Sequence, residues 1–307
     1  MIVKSTYKIP NVHIVKCENV DDFLKQIYPS SGMGNDAHKR WIFRGQPAKY
    51  DLVPSAFRGE SLSVLTRCYY HKRSHANQIS LELRALKIFL DAADRQGILV
   101  PGDTRAFRKK WINDQFIRQV NFVKANDLGF WPDDNGIQVL TFAQQSGLPT
   151  RLLDWTKRSY IAAYFAATGT ANKAIYEQDV TNIHDDMAVW AFSDEFLHQY
   201  KDPEIEIIEV PTGSNRNLML QQGCFTSVKT QLDNEDSRYY SFEEAASIND
   251  KKYGGIFPIR IFVLCSGQRR KLLKTLSEGE GIDGASMFSG VDGVMKYIKE
   301  KGYWSGV

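Results

Sequence analysis

The sequence predicts an α+β protein: a mixed β core with a helical insertion and C-terminal helices. Three observations carry that prediction. Apolar residues follow a strand-like pattern early in the chain, a helical pattern through the next block, and a mixed pattern with several short strands beyond Gly147. The strand candidates are separated by connections of unequal length, which argues against a regular βαβ alternation. No repeat and no Pro/Gly/Ser-rich linker divides the 307 residues. The expectation is therefore one domain over 1–307, with the helical insertion at about 60–145.

Taken in order, Val12–Cys17 and Trp41–Arg44 read as short strands, with Val20–Tyr28 a helix between them behind an Asn19 cap. Ser80–Gln96 sets Leu83, Leu86, Leu90 and Ala93 on one helical face and stops at Gly97. Asp103–Asn126 reads as a second helix, with Phe107, Trp111, Phe116, Val120 and Val123 at helical spacing and Gly129 beyond. Ser159–Thr168 follows as a helix in which Ala162, Ala163, Phe165 and Ala166 suit close packing. Met187–Phe192, Ile205–Val210, Cys224–Lys229 and Phe257–Cys265 are the later strands, and Gln268–Leu276 and Val291–Lys301 the closing helices.

Composition narrows the classes without naming a function. Hydrophobic residues make up 43% of the chain and charged residues 24%, enough apolar material to offset chain entropy and exclude a disordered chain. With 22 glycines and 4 cysteines, it is neither collagen-like nor a disulfide scaffold. A net charge of +3 decides nothing about nucleic acid, because patches set that affinity and totals do not. Cys17, Cys68, Cys224 and Cys265 are scattered with no Cys-x-x-Cys pair, so free thiols in a reducing compartment are expected and a metal site is not. The most apolar runs, Ile161–Ala167 and Ile256–Cys265, are far shorter than the roughly 20 residues that cross a bilayer. Met1–Tyr7 lacks the apolar stretch of a secretory signal. A cytoplasmic protein with no membrane partner is the expectation.

Three segments carry more polar chemistry than packing requires. In Trp41-Ile42-Phe43-Arg44-Gly45-Gln46 an apolar strand ends in an arginine, then a glycine, then an amide. Arg44 there offers a planar fork of donors suited to phosphate or carboxylate, and Gly45 permits close approach of a ligand or another backbone. A structural arginine paired to a buried acid fits the same residues. The second segment, Ala143 through Thr156, puts Gln144, Thr150, Arg151, Asp154, Trp155 and Thr156 into a Gly/Pro-punctuated loop before a small-residue helix. It reads either as a capped turn with an Arg151–Asp154 pair or as the lining of a ligand cleft. The third is Asn215-Arg216-Asn217 followed by Gln221-Gln222-Gly223-Cys224-Phe225-Thr226. Its adjacent glutamines enter a strand and point to opposite faces.

Together these segments resemble the signature of the FRG domain family, named for its Phe-Arg-Gly motif. The matching residues are Phe43-Arg44-Gly45-Gln46, then Gly147-Leu148-Pro149-Thr150-Arg151-Leu152-Leu153-Asp154-Trp155-Thr156 with Ala162 and Phe165-Ala166. Asn215, Gln221, Gly223 and Phe225-Thr226 match a further block, and Gly281-Ile282, Met287-Phe288 and Asp292-Gly293 resemble the family's tail. The resemblance spans about Trp41 to Lys299. The chain departs from the family at Gln144-Gln145-Ser146-Gly147, where Gln-His-Tyr-Gly is usual, and at Asn217, where an arginine is usual.

The Phe-Arg-Gly strand is in turn similar to the first motif of arginine-serine-glutamate ADP-ribosyltransferases. That similarity implies a mixed β core like theirs, with NAD as substrate. It implies Arg44, Asp154, Thr156 and Gln221 as catalytic residues, with Gln221 near the position of the catalytic carboxylate and Asp154 the motif acid able to substitute. It also implies NAD binding by Arg44, Gly45, Gln46, Thr150, Arg151, Trp155 and Phe225. The implied function is NAD-dependent modification of a macromolecular target, protein or RNA, as in a bacterial toxin or defence effector held by an inhibitory or antitoxin partner. The alternative is a noncatalytic module that binds a nucleotide or a partner in the same cleft.

Other signals weigh less. Gly279-Glu280-Gly281-Ile282-Asp283-Gly284 matches the dinucleotide fingerprint formally, but it follows a helix, and its acids would repel a pyrophosphate. His71 and His75 have zinc-ligand spacing without the accompanying glutamate. Between Asp103 and Lys124, Arg105, Arg108, Lys109, Lys110, Arg118 and Lys124 interleave with Trp111 and Phe116. That suits RNA or single-stranded DNA, or else an amphipathic helix with its aromatics in the core; the helical spacing favours the amphipathic helix.

Overall fold

In a computed structural model of the protein, the residues described are 12–28, 41–47, 51–70, 74–120, 131–177 (backbone only from 170), 186–194, 197, 205–213, 215–228, 241–246 and 259–305. Met1–Tyr7, His71–Arg73, Val123–Asn126, Gly129, Lys229 and Ile256–Pro258, all named above, lie outside them.

The architecture is α+β. Seven strands, β1 (Val12–Cys17), β2 (Trp41–Gln46), β3 (Leu153–Thr156), β4 (Met187–Ser193), β5 (Ile205–Ile208), β6 (Gly223–Val228) and β7 (Ile259–Leu264), form one mixed sheet in the order β1-β7-β4-β2-β3-β6-β5. β1 and β7 run parallel, and the other neighbours are antiparallel. β4 is buried at every residue, as expected of a strand covered on both faces.

Helix α1 (Val20–Ile27) starts where Asn19 accepts a hydrogen bond from the Asp22 amide. Between β2 and β3 the chain makes α2 (Ser61–Thr66), α3 (His75–Arg95), α4 (Arg105–Trp111), α5 (Asp114–Gln119) and α6 (Asp134–Gln145). α3 begins five residues earlier than its apolar spacing suggests, because Ser74 caps it. The expected single helix from Asp103 is two. The Asn113 side chain accepts from the amides of Gln115 and Phe116 and so starts α5 anew, the competition with continued helix that Asn side chains offer. Ile79, Leu83, Leu86 and Leu90 pack with Phe107, Trp111, Trp131 and Val139 as a core of their own, which reaches the sheet through Leu152 and Phe225.

One face of β2 is covered by α7 (Ser159–Glu177), packed with α1 and β4 around Phe43, Ala162, Ala166 and Val189. After α8 (Arg216–Leu220) the chain closes with α9 (Arg269–Glu280), α10 (Gly284–Met287) and α11 (Gly290–Ser305). On the remaining face Trp155, Trp190, Phe192, Leu52 and Phe242 form a third cluster. One further expectation is corrected. Leu153–Thr156 is a strand inside the sheet and not part of a loop. The formal dinucleotide fingerprint is the end of α9, with Gly281 left-handed at φ 65°, joined to the Asp283–Ser286 capping box of α10.

Candidate functional site

β2 and β3 ladder only where Phe43 stands opposite Thr156, whereas β2 pairs with β4 over its whole length. Beyond that single pair the Arg44 side chain makes the connection. Its Nη1 donates to the Asp154 carbonyl oxygen at 2.6 Å and lies 3.7 Å from the Asp154 carboxylate. The Arg44 side chain is 18% exposed and that of Asp154 51%, so this ion pair faces solvent through the acid. Arg44 Nε is buried and has no hydrogen-bond partner among the described residues. Burial pulls the Arg44 guanidinium below its ordinary pKa; Asp154 opposes that fall and a second cation, Arg58, adds to it.

Arg58 was not legible as a site residue. It follows the 3₁₀ turn Ser55–Phe57, which is pinned to the loop before β3 by Ala56 N donating to Thr150 O at 3.0 Å and Thr150 N donating to Ser55 Oγ at 3.1 Å. Arg58 Nε donates to Val53 O at 2.7 Å. Its guanidinium is likewise lowered by burial and held up by Asp154. Arg44 and Arg58 thus both feel the Asp154 charge, though only Arg44 contacts it, an excess of positive charge suited to a multiply charged anion.

Gln144, at the end of α6, completes the cluster. Its Nε2 donates to Asp154 Oδ1 at 2.6 Å, and its Oε1 accepts from the Thr150 hydroxyl, which in turn accepts from Leu152 N. The amide fixes the Asp154 carboxylate from the side opposite Arg44. Thr150, assigned to NAD, is fully buried and acts on the cluster only through Gln144.

Most of the other assigned residues are in the scaffold. Arg151 is 2% exposed and forms a buried ion pair with Glu82: Nε donates at 2.7 Å and Nη2 at 3.2 Å, while Nη1 reaches Trp131 O. Neither the expected Arg151–Asp154 pair nor an Arg151 directed at a ligand is what this geometry holds. A Cβ on Gly45 would sit 1.9 Å from Ala162 O and 2.5 Å from Ala166 N; the glycine admits α7 and not a ligand. Gln46 is buried opposite Ala188 and is not at a rim. Trp155 is buried, its ring tilted against that of Phe242 with centroids 5.0 Å apart and its Nε1 donating to Thr226 Oγ1. Phe225 is fully buried against the helical block.

Thr156 and Gln221 are neighbours, though not beside Asp154's carboxylate. Thr156 Oγ1 donates to Gln221 O at 2.7 Å and accepts from Arg158 N ahead of α7. The Gln221 amide donates to Met287 O at 3.1 Å, and Asn217 Oδ1 accepts from Ser289 N. The third sequence block therefore ties α8 to the C-terminal helices. Trp111 lies in the helical core, donating to Asp133, and Arg108 and Lys110 are engaged by Asp94, Asp103 and Asp133. Two of the stretch's cations are thus engaged within the chain, its aromatics belong to the helical core, and Arg105, Lys109 and Arg118 are exposed.

Among the described residues no group of His, Cys, Asp and Glu gathers as metal ligands. Burial raises the Cys17 and Cys224 thiols to about 12, away from nucleophilic use. No helix among the described residues is long and apolar enough to cross a membrane.

Residues 39–174 match the family model of the FRG domain, and the chain carries an FRG domain over that span. The match covers β2, the helical block, β3 and most of α7, so it contains Arg44, Arg58, Gln144 and Asp154; Asn215 and the tail resemblance fall outside it. No curated protein and no solved structure matches the chain, and no ADP-ribosyltransferase fold match accompanies the family.

Proposed function

We propose that this FRG domain binds NAD and transfers its ADP-ribose to a macromolecular nucleophile, with Arg44 and Asp154 as the acting residues. The observation that carries the reading is the Arg44–Asp154 pair: a guanidinium fork and a half-exposed carboxylate at one strand junction. Arg44, aided by Arg58, holds the diphosphate. The bond between ribose C1′ and the nicotinamide nitrogen breaks, and both electrons leave with nicotinamide, which departs neutral. Positive charge grows on the ribose, where a fixed carboxylate stabilises it. The target's O–H or N–H attacks C1′ and gives its proton to Asp154. Gln144 keeps the carboxylate in place through these steps.

One observation favours a second reading, a noncatalytic nucleotide-binding module. Gln221, expected near the catalytic carboxylate, is an amide engaged with Met287 O, so Asp154 would act without a second acid from that position.

Incubating the protein with labelled NAD and total cell protein or RNA separates the two. Nicotinamide release or label transfer, lost in Asp154→Asn, supports the transferase. Saturable NAD binding without turnover supports the module, and absence of binding removes NAD from both.

A further inference from the structure

We infer that Thr150 is a positioning residue with two separable duties: its hydroxyl aims the Asp154 carboxylate, and its backbone holds the turn that carries Arg58. The inference rests on the reading of Arg44, Arg58 and Asp154 given above. Thr150 is fully buried, so it acts through what it holds. A glutamine amide is nearly symmetric in shape, and packing alone does not choose which end of Gln144 faces the acid. The Thr150 hydroxyl makes that choice. Its oxygen accepts from Leu152 N at 3.2 Å, and its one proton goes to Gln144 Oε1. With the amide oxygen engaged there, the NH2 end turns to Asp154, donating from Nε2 to Oδ1 at 2.6 Å. The reversed amide would set Oε1 against a carboxylate oxygen and take the acceptor from a buried hydroxyl proton; both changes are unfavourable. Held at both ends, the long Gln144 side chain gives up its freedom on folding and not on binding.

The backbone of Thr150 serves a second element. Its carbonyl accepts from Ala56 N at 3.0 Å and from Ser55 Oγ at 3.3 Å, and its N–H donates to Ser55 Oγ at 3.1 Å. Ser55 and Ala56 open the 3₁₀ turn that Arg58 follows. One residue thus supports the acid through its side chain and the second arginine through its main chain. A change confined to the side chain at 150 reaches the acid and leaves the bonds to the turn in place.

Thr150→Val keeps the shape and the backbone bonds and removes the hydroxyl. Leu152 N then loses its acceptor and some stability goes with it, so activity is compared per folded molecule. Nicotinamide release at saturating NAD should fall by about tenfold, while NAD affinity stays within about twofold of the wild type. Thr150→Ser, which restores the hydroxyl, should recover most of the turnover. In a Gln144→Leu background Thr150→Val should cost no further turnover, because the hydroxyl acts through the amide. The side-chain NH2 signals of Gln144, assigned in NMR spectra by their loss in Gln144→Leu, should shift in Thr150→Val and return in Thr150→Ser. Unchanged turnover in Thr150→Val, affinity lost in place of turnover, a further loss in the double variant, or NH2 signals indifferent to the hydroxyl would each overturn the proposal. A wild type that releases no nicotinamide would instead overturn the transferase reading, and the NH2 signals would then decide the role of Thr150 by themselves.

Discussion

Arg151 and Asp154 are three residues apart, yet each belongs to a different arginine–carboxylate pair, and the two pairs differ in their access to solvent. Arg151 and Glu82 are both at most 2% exposed, and Glu82 also accepts from Trp131 Nε1 and Gln78 Nε2. Every strong donor there has an acceptor, and the pair joins α3 to the entry of β3. Arg44 and Asp154 are held less completely: Arg44 Nε has no partner among the described residues, and half of the Asp154 side chain meets water. The contrast teaches that one motif supplies both a rivet and a site. The buried pair positions the segment, and the open pair is left with charge to offer a ligand.

The largest effect should come from the rivet. Glu82→Ala leaves a buried guanidinium without its acid and should cost about 3–5 kcal/mol in denaturant unfolding, while NAD affinity per folded molecule is unchanged. Gly45→Ala comes next. The added carbon meets backbone atoms of α7, which cannot swing aside as a side chain can, so a loss of about 1–3 kcal/mol is expected. A stable Gly45→Ala protein with abolished NAD binding would reverse the assignment and make the glycine a point of ligand approach.

A pH effect belongs to the scaffold as well. Glu243 is fully buried beside Leu52 N, and burial, the largest cause, raises its pKa from 4.5 to about 8. The folded state therefore holds a proton that the unfolded state has already released. This contribution is complete below about pH 4.5 and is lost as pH rises through about 8. Chemical denaturation across that window should show the fall in the wild type and a flatter profile in Glu243→Gln.

These outcomes also show what the sequence could and could not carry. Strands such as Val12–Cys17 and the Asn19 cap were legible because their signals are local: alternation of side chains, and one oxygen beside one amide. β3 was not, since four residues between Pro149 and Lys157 contain too little pattern to outweigh the Gly and Pro before them. The FRG segment located Arg44 and Asp154. Their mutual contact spans 110 residues and that of Arg151 with Glu82 spans 69, and pairings at such separations are set by the fold. The same limit hid Arg58. Gln144 stood in the motif as quoted, but its role depends on where α6 ends relative to β3.

The smallest effects on stability should come from the open pair. Asp154→Asn keeps the shape and the bond from Gln144, and for so exposed an acid the cost should stay within about 1 kcal/mol. Turnover of NAD should nonetheless drop by about 10²-fold or more, the scale of removing one fixed group from a charge developing in the transition state.

Arg44→Lys tests the central claim most directly, measured by thermal melt and by NAD titration on the same preparation. Lysine keeps the charge but not the fork, and cannot bond a diphosphate through two parallel N–H contacts. The melting temperature should shift by only a few degrees, while NAD affinity falls by about tenfold or more. A sharply lowered melting temperature with NAD affinity per folded molecule unchanged would contradict the account and make Arg44 a second rivet, like Arg151.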